Sequence, residues 1–226
     1  ALVPGRSLVV YFRLSTQPGW HTYWRHPGES GMASEVEWSL PPGFEVGPLE
    51  WSLPQRFQHE GMTTYGYQSP ALLRQVLQVP ARLPAGKVSL KARLKWLACD
   101  VNSCVPGQSN LQLNLPVAPH SQPQFSPQAR WPQPLLGPAQ AWRQGVSLWL
   151  QAELPPGKPE FVPAQGLLIQ ESVEPEVHPQ PGFTRLRWQA FPAPQPPRRL
   201  QGLLCLGEGE SRRGYWIDIP IGGNPP

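Results

Sequence analysis

The chain has 226 residues with a formal net charge of +4, and it carries 32 Pro and 21 Gly. A Pro and Gly load of about a quarter signals disorder when core-forming residues are scarce, but 10 Trp and several alternating apolar runs exclude that reading. No apolar run reaches the length of about 18 residues that a transmembrane helix needs. The paired arginines at 198–199 and 212–213 are isolated, so no basic stripe marks a nucleic-acid partner.

The chain opens at Ala1-Leu2-Val3 in front of a Pro4-Gly5 turn, without a signal peptide. We expect an upstream strand and any targeting segment to have been trimmed. Ser7 to Ser15 reads as a strand, broken by Pro18-Gly19 and followed by the aromatic strand Trp20 to Trp24. Pro27 to Gly31 is a loop by composition, and Glu35 to Leu40 a short strand ended by Pro41-Pro42-Gly43. A long polar stretch from Gln55 to Pro70 holds Thr64-Tyr65-Gly66-Tyr67 and reads as a loop, with a strand from Leu72 to Val79 after it.

The clearest pattern lies between Lys87 and Ala98. Val88, Leu90, Ala92, Leu94, Trp96 and Ala98 alternate with Lys87, Ser89, Lys91, Arg93 and Lys95. Strict period two predicts one buried and one wet face. Leu111, Leu113 and Leu115 repeat the pattern, which predicts a hairpin with the cysteines near its tip. Residues 119–141 are rich in Pro and Gln, lack periodicity and read as a linker. Beyond it, Val146 to Ala152, Gly166 to Gln170, Phe183 to Ala190, Leu200 to Leu206 and Gly214 to Ile219 are further strands. The prediction is an all-β chain of two β-sandwiches in tandem, over 1–118 and 142–226, without a long helix.

Cys99 and Cys104 enclose four residues, and Cys205 stands apart. Even positions are buried on the first hairpin strand and odd positions on the second, so parity puts both paired thiols on the outer face. Facing strand residues have Cα atoms about 4.5–5.5 Å apart, within reach of a disulfide. Closing so short a ring stabilises a fold by only about 2 kcal/mol, against about 4.7 for a 100-residue loop. A short bridge at a tip suits exchange chemistry, yet the spacing alone also allows a local staple. Metal binding is not expected: His21, His26 and His59 lack the spacing that would complete a site. No cofactor loop, Ser-His-Asp set or carboxylate pair is present, and Cys205, between Leu204 and Leu206, reads as a small buried hydrophobe.

Several motifs in order carry a resemblance. They are Pro18-Gly19-Trp20-His21-Thr22-Tyr23-Trp24, Pro27-Gly28-Glu29-Ser30-Gly31, Thr64-Tyr65-Gly66-Tyr67 and Trp96 to Pro106 with both cysteines. Over about residues 5–118 the chain resembles the N-terminal domain of the DsbD/ScsB family of thiol:disulfide interchange proteins. Phe161-Val162-Pro163 and Tyr215 to Pro220 resemble that family's second module. The resemblance implies immunoglobulin-like β-sandwiches in the periplasm, exported as part of an inner-membrane protein. It implies a cofactor-free thiol–disulfide oxidoreductase that passes reducing equivalents from a membrane domain to periplasmic thioredoxin-fold proteins. Its partners would include the membrane and thioredoxin-like domains of the same full-length protein. Carried onto this chain, Cys99 and Cys104 are the exchanging pair. The segment from His59 to Tyr67 is the cap loop, with Tyr65 as the shielding aromatic, Thr64 beside it where relatives have a second aromatic, and Glu60 at an acidic position. His21 and Tyr23 fall on a strand near the site. The competing expectation is a non-catalytic β-sandwich that docks a partner or metal and keeps a structural local disulfide.

Overall fold

The computed structural model describes residues 1–68, 70–120, 127–166, 169–190 and 197–223. The first nine strands are β1 (Ser7–Leu14), β2 (His21–Gly28), β3 (Glu35–Ser39), β4 (Glu45–Trp51), β5 (Gln55–His59), β6 (Met62–Tyr67), β7 (Ala71–Gln78), β8 (Lys87–Cys99) and β9 (Cys104–Pro116). They are followed by β10 (Gln133–Pro134), β11 (Ala139–Gln144), β12 (Ser147–Ala152), β13 (Pro159–Pro163), β14 (Glu176–Gln180), β15 (Phe183–Gln189), β16 (Arg199–Leu206) and β17 (Arg213–Gly222). Among the described residues the helical content is a single 3-10 turn at Gly209–Ser211. The chain forms two compact units: residues 1–25, 32–54 and 66–129 make the first, and residues 26–31, 55–65 and 130–226 the second.

In the first unit β1, β7 and β4 form one sheet, in the order β1-β7-β4. β4 shifts register between Val46 and Leu49, where Pro48 has no N–H to give the ladder. In the other sheet β8 pairs along its whole length with β9. Its opposite edge is shared by β3, over Lys91–Lys95, and by β2, at Ala98 and Cys99. Leu77, Val79, Val88 and Leu90 form a core with Leu2, and Trp38 packs against it. Trp38 meets Phe12 edge-on at 5.6 Å and donates its indole N–H to Gln75 Oε1 at 2.9 Å. Gln75 in turn donates to the Gly47 carbonyl, so this buried amide is partnered.

The second unit orders its strands β13-β16-β17-β11-β12-β15-β14, with β10 beside β17. β17 pairs with β16 up to Pro220 and then runs parallel to β11 at Ile221 and Gly222. Leu148, Leu150, Phe161, Leu186, Trp188, Leu200, Leu204 and Ile217 fill its core. On the other face Trp142 and Trp149 stack at 5.9 Å, with the Arg187 guanidinium 5.8 Å from the Trp149 ring.

Several expectations change. Pro27 and Gly28 belong to β2 rather than to a loop. The polar stretch after Gln55 is a paired hairpin, β5 and β6: its two-residue turn, Glu60-Gly61, has φ of 50° and 80°, the positive pair that tight hairpins use. Polar side chains hid these strands because neither alternates strictly. Strands β4, β13 and β14 were not anticipated, and β10 and the start of β11 lie within the segment read as a linker. Leu111 and Leu113 are exposed, Leu113 at 42% against 1% for its partner Leu90, because β9 is an edge strand. Of the strand expected at Gly166 to Gln170, residues 167 and 168 lie outside the described residues, and Ile169 makes an isolated bridge to Ala190.

Candidate functional site

The β8–β9 ladder runs without a register shift from Lys87 opposite Pro116 to Cys99 opposite Cys104. The two cysteines are joined by a disulfide, with Cα atoms 4.1 Å apart. So close a pair is of the type that exchanges no backbone hydrogen bonds. The next pair is therefore bonded: the Asp100 N–H donates to the Ser103 carbonyl at 2.9 Å. The same alternation makes Leu97 opposite Pro106 a non-bonded pair, so the N–H that Pro106 lacks would have faced the free edge. Proline thus costs the ladder nothing there and blunts the edge next to the bridge.

The turn is clamped by Asp100. Its Oδ1 accepts the N–H of Asn102 at 2.8 Å, the N–H of Ser103 at 2.7 Å and the Ser103 hydroxyl at 3.2 Å. Those backbone donors hold the Asp100 carboxyl below the usual carboxylate range.

Both cysteines point to the face opposite Leu90, as parity predicts. Their burial differs sharply, however: Cys99 is 2% exposed, whereas Cys104 lies at the surface. Sheet position explains the asymmetry. Cys99 sits between β9 and β2, while Cys104 begins an edge strand. Val101 and Val105, next to it in the hairpin tip, are 70% and 52% exposed.

His21 stands directly opposite Cys99 and therefore on its face of the sheet, with Tyr23 two residues along. His21 Nε2 and Tyr23 Oη are 3.2 Å apart, and the rings meet edge-on at 5.1 Å. Burial pushes the Tyr23 phenol up. Cys99, Cys104, His21 and Tyr23 thus come together in one sheet.

Glu60, Thr64 and Tyr65 belong to the second unit. Glu60 is exposed in the tight turn, and Thr64 and Tyr65 lie in β6. Tyr65 is fully buried, and its phenol is pushed up by burial and by the Glu171 carboxylate that it meets. Glu171 Oε1 is 3.0 Å from His26 Nε2, and its carbonyl accepts from Arg56 Nη2 at 2.6 Å. Sequence reading missed this cluster, because Glu171 is over a hundred residues from its partners. A Cβ on Gly66 would lie 2.0 Å from the Thr22 carbonyl oxygen, so glycine is needed there for close strand approach. Cys205 is a free, buried cysteine, its thiol pushed up to about 11 chiefly by burial, with Arg212 opposing.

Residues 2–116 match the family described as thiol:disulfide interchange protein DsbD, N-terminal. The chain belongs to that family. The matched span contains the whole β8–β9 hairpin with both cysteines, and also His21, Tyr23 and Tyr65. The fold is similar to the crystal structure of the N-terminal periplasmic domain of ScsB from Proteus mirabilis. The TM-score is 0.66 at 19% identity, over 97% of this chain and 90% of that one. An endo-fucoidan hydrolase of glycoside hydrolase family 107 aligns at a TM-score of 0.16 and 14% identity, over 97% of this chain and 29% of its own, and carries no argument. No curated protein matches the chain. Family membership and the disulfide together make this a thiol:disulfide interchange domain of nearly all-β, immunoglobulin-like architecture. Among the described residues no helix is long and apolar enough to cross a membrane.

Proposed function

We propose that this domain works in the periplasm as an electron carrier, taking reducing equivalents from a membrane domain and giving them to thioredoxin-fold proteins. The observation that carries the reading is the asymmetric bridge: one accessible cysteine, Cys104, tied across a hairpin to a buried one, Cys99. In the reduced domain the Cys104 thiolate attacks one sulfur of the partner's disulfide. A Cys104–partner bond forms and the partner's second sulfur leaves as a thiolate. Cys99, deprotonated, then attacks Cys104 Sγ, which restores the bridge and releases the partner as a dithiol. Two electrons and two protons pass to the partner. His21 and Tyr23 flank the buried sulfur, and Tyr65, with Thr64 and Glu60 on the same hairpin, is the family's candidate for shielding it.

The test is to mix reduced chain with an oxidised thioredoxin-fold protein carrying a CxxC disulfide and to trap products by alkylation. The parent should emerge oxidised, and Cys99→Ser should accumulate a mixed disulfide through Cys104. No exchange beyond the uncatalysed rate, with the bridge intact after mild reductant, would instead favour a binding module with a structural staple.

A further inference from the structure

We propose that Asp100 is a positioning residue for exchange: its carboxylate holds the hairpin turn that keeps Cys99 opposite Cys104 while the bridge is open. The inference rests on the reading of Cys99 and Cys104 as the exchanging pair.

During exchange the covalent link between the strands is absent, and only the ladder and the turn hold Cys99 in line with Cys104. The ladder ends at this pair, so the turn is its last restraint. That turn has one organising atom. Three donors, two of them backbone N–H groups of the residues leading into Cys104, converge on Asp100 Oδ1. The Asp100 N–H meanwhile closes the turn on the Ser103 carbonyl. Removing Oδ1 returns those N–H groups to water and frees Val101, Asn102 and Ser103, which lowers the effective concentration of Cys99 at Cys104.

The same side chain carries a cost. A carboxylate one residue from Cys99 disfavours the thiolate that must attack. Geometry and charge therefore act in opposite directions at this position, and substitution separates them. Asparagine keeps an oxygen at the same distance and removes the charge. Glutamate keeps the charge and moves the oxygen by one methylene. Alanine removes both.

The reduced 226-residue chain is mixed with 5,5′-dithiobis(2-nitrobenzoate): the Cys104 thiolate takes one arylthio group as the first aryl thiolate leaves, and release of the second coloured aryl thiolate is followed against pH. In that step deprotonated Cys99 attacks Cys104 Sγ, the Cys99–Cys104 bond forms, and the aryl sulfur leaves with the electron pair. Asp100→Ala and Asp100→Glu should release about tenfold more slowly than the parent, as loss of preorganisation predicts. Asp100→Asn should release at least as fast as the parent, with the rise of its rate displaced to lower pH. Parental rates in both Ala and Glu variants, or an Asn variant as slow as Ala, would overturn the role. If Ala unfolds the tip, the Glu and Asn pair still decides. A parent that releases nothing would overturn the exchanging-pair reading itself, whereas a working parent matched by both Asp100→Ala and Asp100→Glu removes only the assignment of Asp100.

Discussion

His21 and Cys99 are directly opposed across β2 and β8, which makes His21 the cross-strand neighbour of the buried sulfur. Its Nε2 is engaged by Tyr23 Oη at 3.2 Å. The His21 side chain therefore shares the Cys99 face of the sheet, and a partner on its own strand engages its ring. Cutting it back to a methyl group should open Cys99. In reduced protein we expect His21→Ala to raise alkylation of Cys99 about tenfold, since access of the reagent controls thiol reactivity. Cys104 labelling should stay at the parental rate, because Cys104 is already exposed. Peptide mapping after timed alkylation reads both sites in one sample. Unchanged Cys99 labelling would remove His21 from the site.

The bridge itself is a weak staple. Cys99 and Cys104 are 5 apart in sequence. Ring closure over so few residues gives about 2 kcal/mol. The hairpin runs through thirteen opposed pairs, alternate ones of which exchange backbone hydrogen bonds, so it does not depend on the link. The Cys99→Ser, Cys104→Ser double variant should therefore remain folded, with a denaturant midpoint lower by an amount equivalent to about 2 kcal/mol. It should have no exchange activity. Unfolding of the double variant at room temperature without denaturant would make the disulfide structural.

What the sequence could and could not reveal follows from the kind of signal each element carries. β8 was readable because its apolar residues alternate without a break and Val88, Leu90, Ala92 and Leu94 are all buried. Its pairing to β9 and the common face of the two cysteines followed from the same parity. The unequal burial of Cys99 and Cys104 did not, since it depends on β2 lying on the far edge of β8, a long-range pairing that periodicity does not encode. The β5–β6 hairpin was hidden for a different reason. Its turn places Glu60, a residue that normally avoids positive φ, at 50°, so no Asn-Gly or Gly-Gly signal announced it. Glu171 was invisible because nothing local marks a carboxylate whose partners come from β2, β5 and β6.

Cys205 should be silent. It is 1% exposed, and its thiol is raised to about 11 by burial. At pH 8 roughly one molecule in a thousand then carries the thiolate that alkylating agents require. In the folded protein iodoacetamide should label Cys104 and Cys99 only after the bridge is reduced, and should leave Cys205 intact until the chain unfolds. The sign of the linkage gives a second readout. A folded pKa above the thiol's ordinary 9.0 means that the fold favours the neutral form, so this contribution is intact below pH 9. It is lost as pH rises through about 11. The parent should lose more stability than Cys205→Val between those limits, measured as the difference in denaturant midpoints. Parallel losses would mean that the thiol ionises as freely in the fold as out of it.

Tyr65 is proposed to shield the bridge, and a substitution series separates that role from packing. It is among the most buried side chains of the second unit, its ring 6.2 Å from His26 and its hydroxyl set against Glu171. Among the described residues Glu171 Oε2 has no hydrogen-bond partner, so losing the phenol leaves that carboxylate poorer still. Tyr65→Phe should therefore cost about 1–2 kcal/mol, and Tyr65→Ala, which also empties a cavity, about 3–5 kcal/mol. Shielding makes a separate demand. If the ring guards the bridge, Tyr65→Ala should be reduced by dithiothreitol several-fold faster than the parent, and Tyr65→Phe, which keeps the ring, at the parental rate. General loosening could imitate the first result, so the control is Leu186→Ala, a fully buried residue of the same unit with a comparable cavity cost. Faster reduction in Tyr65→Ala alone assigns the ring to gating. Equal acceleration in Leu186→Ala, or none in either, assigns Tyr65 to packing and leaves protection of the bridge to the burial of Cys99.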